Sequence, residues 1–178
     1  MTLSAYHPSE ADTIETLFRT TFAHAETEEE GQLIGALVAE MMQHTAPADI
    51  FGFTAKKDDT LIGGIFFTRM WFDEPVDTFI LSPVAVHPDH QKKGVGQALI
   101  TFGLEQLKAA GVERVFTYGD PNYYNKVGFE PITESIAKAP HPLSQPQGWI
   151  CQSLIDAPLT PLAGTARCVS ALDKPEIW

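Results

Sequence analysis

Hydrophobic residues recur at helical spacing in two segments near the N-terminus. Leu3–Tyr6 fits a short strand, and after Ser9 an apolar series predicts an amphipathic helix; its members are Ile14, Leu17, Phe18 and Phe22. The acidic run Glu26–Glu30 then leads into a second helical series, which comprises Leu33, Ile34, Leu37, Val38 and Met41. We expect the acidic run to form the solvated start of this second helix, where negative charge also suits the helix dipole.

The central segment changes to longer apolar runs, which are typical of strands. Ile50–Lys57 and Leu61–Phe72 are rich in Ile, Phe and Trp and are separated by a pair of aspartates, so they predict two strands joined by a tight turn. A third run, Phe79–Val86, follows an acidic break that contains a proline. An antiparallel meander is the interpretation that fits this order.

Helical spacing returns over Val95–Ala110, and Gly111 is placed to cap this helix in the left-handed conformation. Val112–Tyr118 reads as the next strand. The order of strand, helix and strand from Phe79 onward predicts a right-handed crossover, with the two strands parallel and adjacent. Asp120-Pro121 is typical of the start of a short helix.

The C-terminal part is richer in proline and less regular. Prolines make residues 131–147 an expected loop, and two late strands, Trp149–Ile155 and Thr165–Ala171, are expected to complete the sheet. No repeat or linker divides the sequence. We therefore predict one domain over residues 1–178, of α/β class, with a mixed, mainly antiparallel sheet flanked by helices.

Charge and composition narrow the classes of partner. The 178 residues include 12 Lys+Arg and 23 Asp+Glu, for a formal net charge of −11, and no apolar run is long enough to span a membrane. An acidic surface repels nucleic-acid phosphates and anionic lipid, so we expect a cytoplasmic protein that binds neither nucleic acid nor membrane. Cys151 and Cys168 are expected to be buried thiols, and His87 and His90 to be surface residues without a metal.

The most informative segment for chemistry follows the third apolar run. Gly94 and Gly96 lie at the start of a predicted helix, where backbone amides and the helix dipole can bind phosphate oxygens, and Lys92 and Lys93 add positive charge. A glycine-containing helix entry with solvated lysines is the alternative. The segment lacks the Gly-Lys-Ser/Thr ending of the Walker motif, and Leu99 stands where the dinucleotide-binding pattern needs a third small residue.

This segment resembles the acetyl-coenzyme A (acetyl-CoA) loop of the GNAT superfamily of N-acetyltransferases, which has the form Gln/Arg-x-x-Gly-x-Gly/Ala. Here the loop is Gln91-Lys92-Lys93-Gly94-Val95-Gly96, preceded by Val-His-Pro, and a Tyr-x-x-x-Gly-Phe element follows at Tyr124–Phe129. The resemblance extends from about Ile62 to Phe129. Within the superfamily, Gly119-Asp-Pro-x-x-Tyr124 and the tail around Gly164 are similar to a bacterial group typified by YhbS.

The resemblance implies how a donor would bind. Main-chain groups of Val84, Ala85 and Val86 would contact the pantetheine arm. The pyrophosphate would be wrapped by the loop residues, namely Gln91, Lys92, Lys93, Gly94, Val95 and Gly96. Pro83, which cannot donate to a strand ladder, would mark the bulge where this strand splays from its neighbour; otherwise it only ends the strand early.

Tyr124 is the implied general acid for the departing thiolate, with Tyr123 as second choice, although both rings could be packing aromatics beside Phe129. Asp120 is expected to cap a helix rather than act as a base. Many members carry a glutamate on the donor-binding strand, but Phe79–Ser82 holds none, so the base is left unassigned between water and a carboxylate of the acidic run.

The resulting hypothesis is transfer of acetyl from acetyl-CoA to a primary amine by direct attack in a ternary complex. A backbone amide of Val84–Val86 would stabilise the oxyanion, and no metal is required. The acceptor is expected to be a small cationic amine attracted by the acidic surface, with a protein amine as competitor. A non-catalytic acyl-CoA sensor and a nucleotide-binding enzyme are the other two possibilities.

Overall fold

Eight strands and four α-helices organise the chain in the computed structural model, which describes residues 1–178. The strands are β1 (Thr2–Ala5), β2 (Ile50–Lys57), β3 (Thr60–Trp71), β4 (Thr78–Val86), β5 (Arg114–Tyr118), β6 (Glu130–Pro131), β7 (Trp149–Ser153) and β8 (Arg167–Cys168). The helices are α1 (Ala11–Ala25), α2 (Glu28–His44), α3 (Val95–Ala109) and α4 (Pro121–Tyr124). None of these helices has the length and hydrophobicity that a membrane crossing requires.

The strands follow the order β1-β2-β3-β4-β5-β7-β6, and β8 pairs with β3 outside this path. β4 and β5 are parallel, whereas β1–β2, β3–β8, β5–β7 and β6–β7 are antiparallel. The predicted mixed, mainly antiparallel α/β fold is confirmed. The expectation that these two strands are parallel and adjacent is also confirmed, since β4 pairs in parallel with β5 and α3 connects them. The right hand of the crossover stays a prediction.

The chain divides into two compact units, one formed by Met1–Phe67 with Pro83–Gly103 and the other by Thr68–Ser82 with Leu104–Trp178. In the first unit, Phe18 and Phe66 are buried, with ring centroids 5.8 Å apart. In the second unit, Phe116 stacks on Trp149 with ring centroids 5.2 Å apart. β3, β4 and α3 each contribute residues to both units, and the expectation of one domain over 1–178 stays a prediction.

The prediction for the second late strand was wrong in extent. Only Arg167 and Cys168 form it, and they join the sheet by pairing with Trp71 and Met70 of β3. Gly164 takes a φ of +85° just before this strand, and a 3₁₀ turn begins at Ser170 just after it. These two features confine the extended conformation to a short segment.

Candidate functional site

The turn after β4 is held by side chains of its own sequence. His87 Nδ1 accepts a hydrogen bond from the Asp89 amide at 3.2 Å and so caps a 3₁₀ turn over Pro88–His90. Gln91 Nε2 then donates to the Val86 carbonyl at 2.9 Å, which ties the loop back to the last residue of β4. The side chain of Gln91 therefore has a structural role in fixing where the glycine-containing loop begins.

Lys92 and Gly94 both adopt the left-handed backbone conformation, with φ of +60° and +81°. This conformation costs a lysine of the order of 1 kcal/mol but costs glycine little. A Cβ on Gly94 would meet no other atom of the protein within 4 Å. The loop at Gly94 thus faces open space, and a side chain there would extend into the volume that a ligand of the loop would occupy.

Helix α3 begins directly behind this loop and leaves its first amides free. Its first internal hydrogen bond runs from the Ala98 amide to the Gly94 carbonyl at 3.0 Å. The amides of Val95, Gly96 and Gln97 therefore have no acceptor within the helix, and no side chain caps them. Free amides at the positive end of a helix dipole form a binding site for phosphate oxygens.

Packing fixes the start of α3 against the strands. Val95 is 6% exposed and Leu99 fully buried, and both side chains lie over Gly63 of β3. A Cβ on Gly63 would lie 2.9 Å from Leu99 Cδ1 and 3.3 Å from Val95 Cγ1, closer than side chains normally approach. The absence of a side chain at Gly63 therefore lets the helix start pack close to the sheet.

The side chains of the two lysines in the loop differ in their contacts with the protein. Lys93 Nζ donates to the Asp89 carbonyl at 3.0 Å, so this side chain folds back over the preceding turn. Lys92 is exposed and has no hydrogen bond or ion pair within the protein. Both were predicted as cofactor-binding residues, and Lys92 is the one whose charge is available to a ligand without breaking a contact.

The last part of β4 has an edge on which no strand pairs. The parallel register with β5 covers Thr78–Leu81 and ends at the pair Leu81–Thr117, although β4 itself continues to Val86. On its other side β4 remains attached to β3, since the His87 amide donates to the Ile62 carbonyl at 2.8 Å. The Val86 carbonyl already accepts from Gln91, and the other main-chain groups on this edge of Val84–Val86 are available to an extended ligand that adds to the strand.

Pro83 lies within this stretch and is buried. β4 continues through it to Val86, so the proline does not end the strand early. Because proline has no amide hydrogen, it cannot take part in the ladder as a donor. The bulge that the sequence suggests at Pro83 stays a prediction.

Tyr124 lies at the end of α4, in the second unit. Asp120 caps this helix by accepting from the Asn122 amide at 2.9 Å, as predicted. The Tyr124 ring contacts Tyr123 and Phe129 edge-on, with centroids 5.0 and 5.8 Å away. A Cβ on Gly119 would lie 2.8 Å from Tyr124 Cε2, so the ring lies directly on the backbone of Gly119.

The surroundings of Tyr124 keep its hydroxyl protonated. Burial raises the pKa of Tyr124 to about 12, and the neighbouring Tyr123 and the Asp120 carboxylate act in the same direction, while a hydrogen bond with Thr117 opposes them. Burial also raises the pKa of Tyr123 above its ordinary value. At neutral pH both phenols can donate a hydrogen bond, and neither can act as a base.

The two cysteines are free thiols. Cys151 is fully buried as predicted, but Cys168 is only half-buried, so the prediction of a buried thiol was wrong there. Burial raises the pKa of each thiol to about 12, so both remain protonated at neutral pH.

Sequence reasoning missed the contact between Gly119 and the Tyr124 ring. Gly119 did carry a signal, because it stands beside Asp120-Pro121 at the entry of a helix. The tight approach of the Tyr124 ring to its backbone is visible only in three dimensions.

The chain is similar in sequence to a family of known proteins. The model of the acetyltransferase (GNAT) family matches residues 11–129. The N-acetyltransferase YjhQ of Escherichia coli K12 is 36% identical over 138 residues, which cover 74% of this chain and 76% of YjhQ. The N-acetyltransferase YhbS of the same strain is 29% identical over 128 residues, which cover 69% of this chain and 70% of YhbS.

Solved structures show the same fold. The crystal structure of E. coli YhbS in complex with CoA superimposes with a TM-score of 0.80 and 22% identity, covering 97% of this chain and 92% of that one. A GNAT family acetyltransferase from Brucella melitensis, solved in complex with acetyl-CoA, gives a TM-score of 0.72 and 24% identity, with 97% of both chains covered.

Proposed function

The chain belongs to the acetyltransferase (GNAT) family, and we propose that it transfers the acetyl group of acetyl-CoA to a primary amine by direct attack in a ternary complex. The observation that carries the proposal is the loop Gln91–Gly96 and the free amides at the start of α3. Acetyl-CoA is the donor that fits this loop, and the relatives solved with CoA or acetyl-CoA support the choice.

The donor would be bound at two places along the chain. The pyrophosphate accepts hydrogen bonds from the amides that follow Lys92, and the Lys92 ammonium adds one mobile positive charge. The pantetheine arm lies along Val84–Val86 as an added strand. This division uses the backbone for recognition and leaves few side chains in contact with the donor.

In the chemical step, the amine nitrogen bonds to the thioester carbonyl carbon and the carbon–sulfur bond breaks as the tetrahedral intermediate collapses. A backbone amide of Val84–Val86 stabilises the oxyanion. The cationic acceptor first gives one proton to water or to a carboxylate of the acidic run, and it gives up a second as the intermediate collapses. Tyr124 donates a hydrogen bond to the leaving sulfur, and the thiolate then takes a proton from water. A thiol has a pKa of about 8.5, so a phenol with a pKa of about 12 stabilises the thiolate without having to surrender its proton completely.

The acceptor is a small amine that is cationic in solution. The net charge of −11 favours the approach of cations, and the basic pair Lys92-Lys93 is assigned to the donor. Glu28 and Glu29 are exposed in the first turn of α2 and concentrate negative charge there. A protein amine is the competing acceptor.

One observation favours an alternative in which the domain binds acyl-CoA without transferring it. Phe79, Ile80 and Leu81 of β4 are all buried and apolar, so this stretch of the strand offers no carboxylate to act as base. A sensor or partner module would need the donor loop alone. The retained Tyr124, protonated at the end of α4, supports the enzyme instead.

The two functions are separated by incubating the protein with isotope-labelled acetyl-CoA and a pooled metabolite extract, followed by mass spectrometry. The enzyme gives labelled N-acetyl products and free CoA in equal amounts. Saturable binding of acetyl-CoA with no labelled product above a protein-free control would support the sensor. Screening the labelled products then identifies the acceptor.

A further inference from the structure

Gly119, the residue that follows β5, lies directly against the Tyr124 ring. Measured from the position that a Cβ would take on Gly119, Tyr124 Cε2 lies at 2.8 Å, Cδ2 at 3.5 Å and Cζ, which carries the hydroxyl, at 3.8 Å. Apart from the adjacent residues of the chain, these are the three atoms nearest to that position. Tyr124 is therefore the group that a side chain at position 119 would meet first.

The backbone at position 119 does not itself require glycine. Four glycines of the chain have a φ in the left-handed region, and Gly119 is not among them; they are Gly94, Gly111, Gly128 and Gly164. Alanine can take a backbone conformation with negative φ without the strain that it would have at those four positions. The room that glycine leaves at position 119 is used by the tyrosine ring instead.

Hydrogen bonds fix the backbone at both ends of this contact. The Gly119 amide donates to the Gly148 carbonyl at 3.0 Å. The next residue, Asp120, accepts at its carbonyl from the amides of Tyr123 and Tyr124, at 3.1 Å each. Because the backbone is tied in this way, a methyl group at position 119 should displace the outer atoms of the ring and leave the main chain in place.

A similar contact in the apolar core serves packing alone. A Cβ on Gly64 would lie 3.1 Å from Phe18 Cε2 and 3.5 Å from Phe18 Cζ, and Phe18 is fully buried. The Phe18 ring carries no hydroxyl, so its exact position affects stability only. In Tyr124, any displacement of Cζ also displaces the hydroxyl oxygen that is bonded to it.

We propose that Gly119 is a positioning residue for Tyr124, because the absence of a side chain there lets the ring lie on the backbone and sets the position of the hydroxyl. This inference rests on the proposed role of Tyr124 as hydrogen-bond donor to the leaving sulfur. A Cβ at position 119 would require the ring to move by about 1 Å, since carbon atoms in ordinary contact are about 3.5–4.0 Å apart. A misplacement of about 1 Å can lower turnover by as much as about 100-fold.

The test compares Gly119→Ala with Gly64→Ala, each shown to be folded by circular dichroism. Gly119→Ala should lower kcat about tenfold and leave KM for acetyl-CoA unchanged, because the hydroxyl is displaced while the donor loop is intact. Gly64→Ala places the same methyl group against a ring without a hydroxyl, so it should lower stability and leave kcat unchanged. A normal kcat in Gly119→Ala together with a reduced kcat in Tyr124→Phe would overturn the proposal, while leaving the role of Tyr124 in place.

A double variant separates the position of the hydroxyl from packing in general. Phenylalanine keeps the ring atoms that a Cβ at position 119 would meet, so Gly119→Ala crowds the ring equally in the wild type and in Tyr124→Phe. If Gly119 acts through the hydroxyl, Gly119→Ala should cause no further loss of kcat in Tyr124→Phe. An equal fold-loss in both backgrounds would overturn the proposal.

NMR spectroscopy keeps the inference testable if Gly119→Ala does not fold or if Tyr124 proves unnecessary for turnover. In the wild type, the Gly119 α protons should show a nuclear Overhauser effect to the ring protons of Tyr124, whose resonances are assigned with Tyr124→Phe. Its absence would overturn the proposal. In protein labelled with ¹³C at tyrosine Cζ, the Tyr124 resonance should shift in Gly119→Ala and stay constant in Gly64→Ala, and a resonance that ignores Gly119→Ala contradicts the positioning role.

Discussion

Burial and neighbouring groups raise the pKa of Tyr124 above that of an ordinary tyrosine. The raised pKa keeps the hydroxyl protonated well beyond neutral pH, so ionisation of Tyr124 should produce no loss of kcat below about pH 10, the ordinary pKa of a tyrosine. Tyr124→Phe should lower kcat by about 10- to 100-fold with little change in CoA affinity, because the hydroxyl acts mainly in the transition state. Steady-state kinetics with the best acceptor check this.

Tyr123→Phe is the matched control, since the neighbouring ring also has a raised pKa and contacts Tyr124 edge-on. It should keep most of the wild-type kcat. A larger loss in Tyr123→Phe than in Tyr124→Phe would assign the donor role to Tyr123. Full activity in both variants would mean that the thiolate leaves without help from either phenol.

Lys92 and Lys93 are adjacent in sequence but should differ in their effect on CoA binding. Lys92→Ala removes a free charge and should weaken binding by about 0.5–2 kcal/mol, with the loss shrinking as salt is raised. Lys93→Ala removes a side chain that already donates to the Asp89 carbonyl, so its effect on affinity should be smaller. Titration calorimetry at two salt concentrations compares them, and a larger effect at Lys93 would contradict this assignment.

The packing of α1 against α2 depends on two glycines, Gly31 and Gly35. A Cβ on Gly31 would lie 2.4 Å from the Arg19 carbonyl oxygen, and one on Gly35 would lie 2.8 Å from Glu15 Oε1. A backbone oxygen cannot move aside as a long side chain can. Gly31→Ala should therefore destabilise the protein by about 1–3 kcal/mol, even though alanine favours helix more than glycine does. Gly35→Ala should destabilise it by less.

Chemical denaturation of the two variants measures this difference. Ala36→Ser, on the exposed side of the same helix, is the control and should change the free energy of unfolding by less than about 0.5 kcal/mol. A Gly31→Ala variant as stable as the wild type would show that the helices can separate at no cost.

Local patterns determine most of the elements, and long-range pairing determines the rest. The strand Ile50–Lys57 was predicted with the bounds that it has in the structure. It ends at the pair Asp58-Asp59, which predicted a tight turn and has the left-handed φ values, +50° and +62°, that such a turn needs. Leu33 was assigned to the apolar series of the second helix but is 64% exposed. The helical period does not reveal that Gly31 and Gly35 take the contact with α1 in its place.

Some parts of the candidate site could likewise be predicted from local sequence, and others could not. The loop Gln91–Gly96 is contiguous, so its glycines, helix start and lysines could be found in sequence. Tyr124 was found only through the family resemblance. The close contact of the Tyr124 ring with Gly119 could not be found, because it depends on how the short helix α4 folds back on the end of β5.

The charge of the whole chain bears on the acceptor. If the acceptor is a cation attracted by the acidic surface, kcat/KM for the best amine should fall as salt rises from low to physiological concentration. Glu28→Gln with Glu29→Gln should flatten this dependence, since both carboxylates are exposed. Removing two charges from a helix start should also cost stability, so the folded fraction is measured in parallel.

Asp58→Asn with Asp59→Asn is the matched control. It removes the same charge from the exposed β2–β3 turn, and asparagine tolerates the left-handed conformation there. The salt dependence should remain in this variant. A best acceptor that is neutral or anionic, or equal flattening in both double variants, would contradict a local role of the acidic helix start.

The proposed function depends on the binding of CoA at Gln91–Gly96, and a substitution at Gly94 tests this binding most directly. Gly94 and Gly111 flank α3, both have positive φ, and a Cβ on either would meet no atom of the protein within 4 Å. Gly94→Val and Gly111→Val therefore impose similar backbone strain without a clash. Only the first places a side chain where the pyrophosphate would bind.

Isothermal titration of CoA into the wild type and these two variants, each shown to be folded by circular dichroism, is the decisive measurement. Gly94→Val should weaken binding at least about tenfold, a loss of about 1.4 kcal/mol or more, while Gly111→Val keeps the wild-type affinity. Unchanged affinity in Gly94→Val, or an equal loss in both variants, would show that CoA does not bind at this loop.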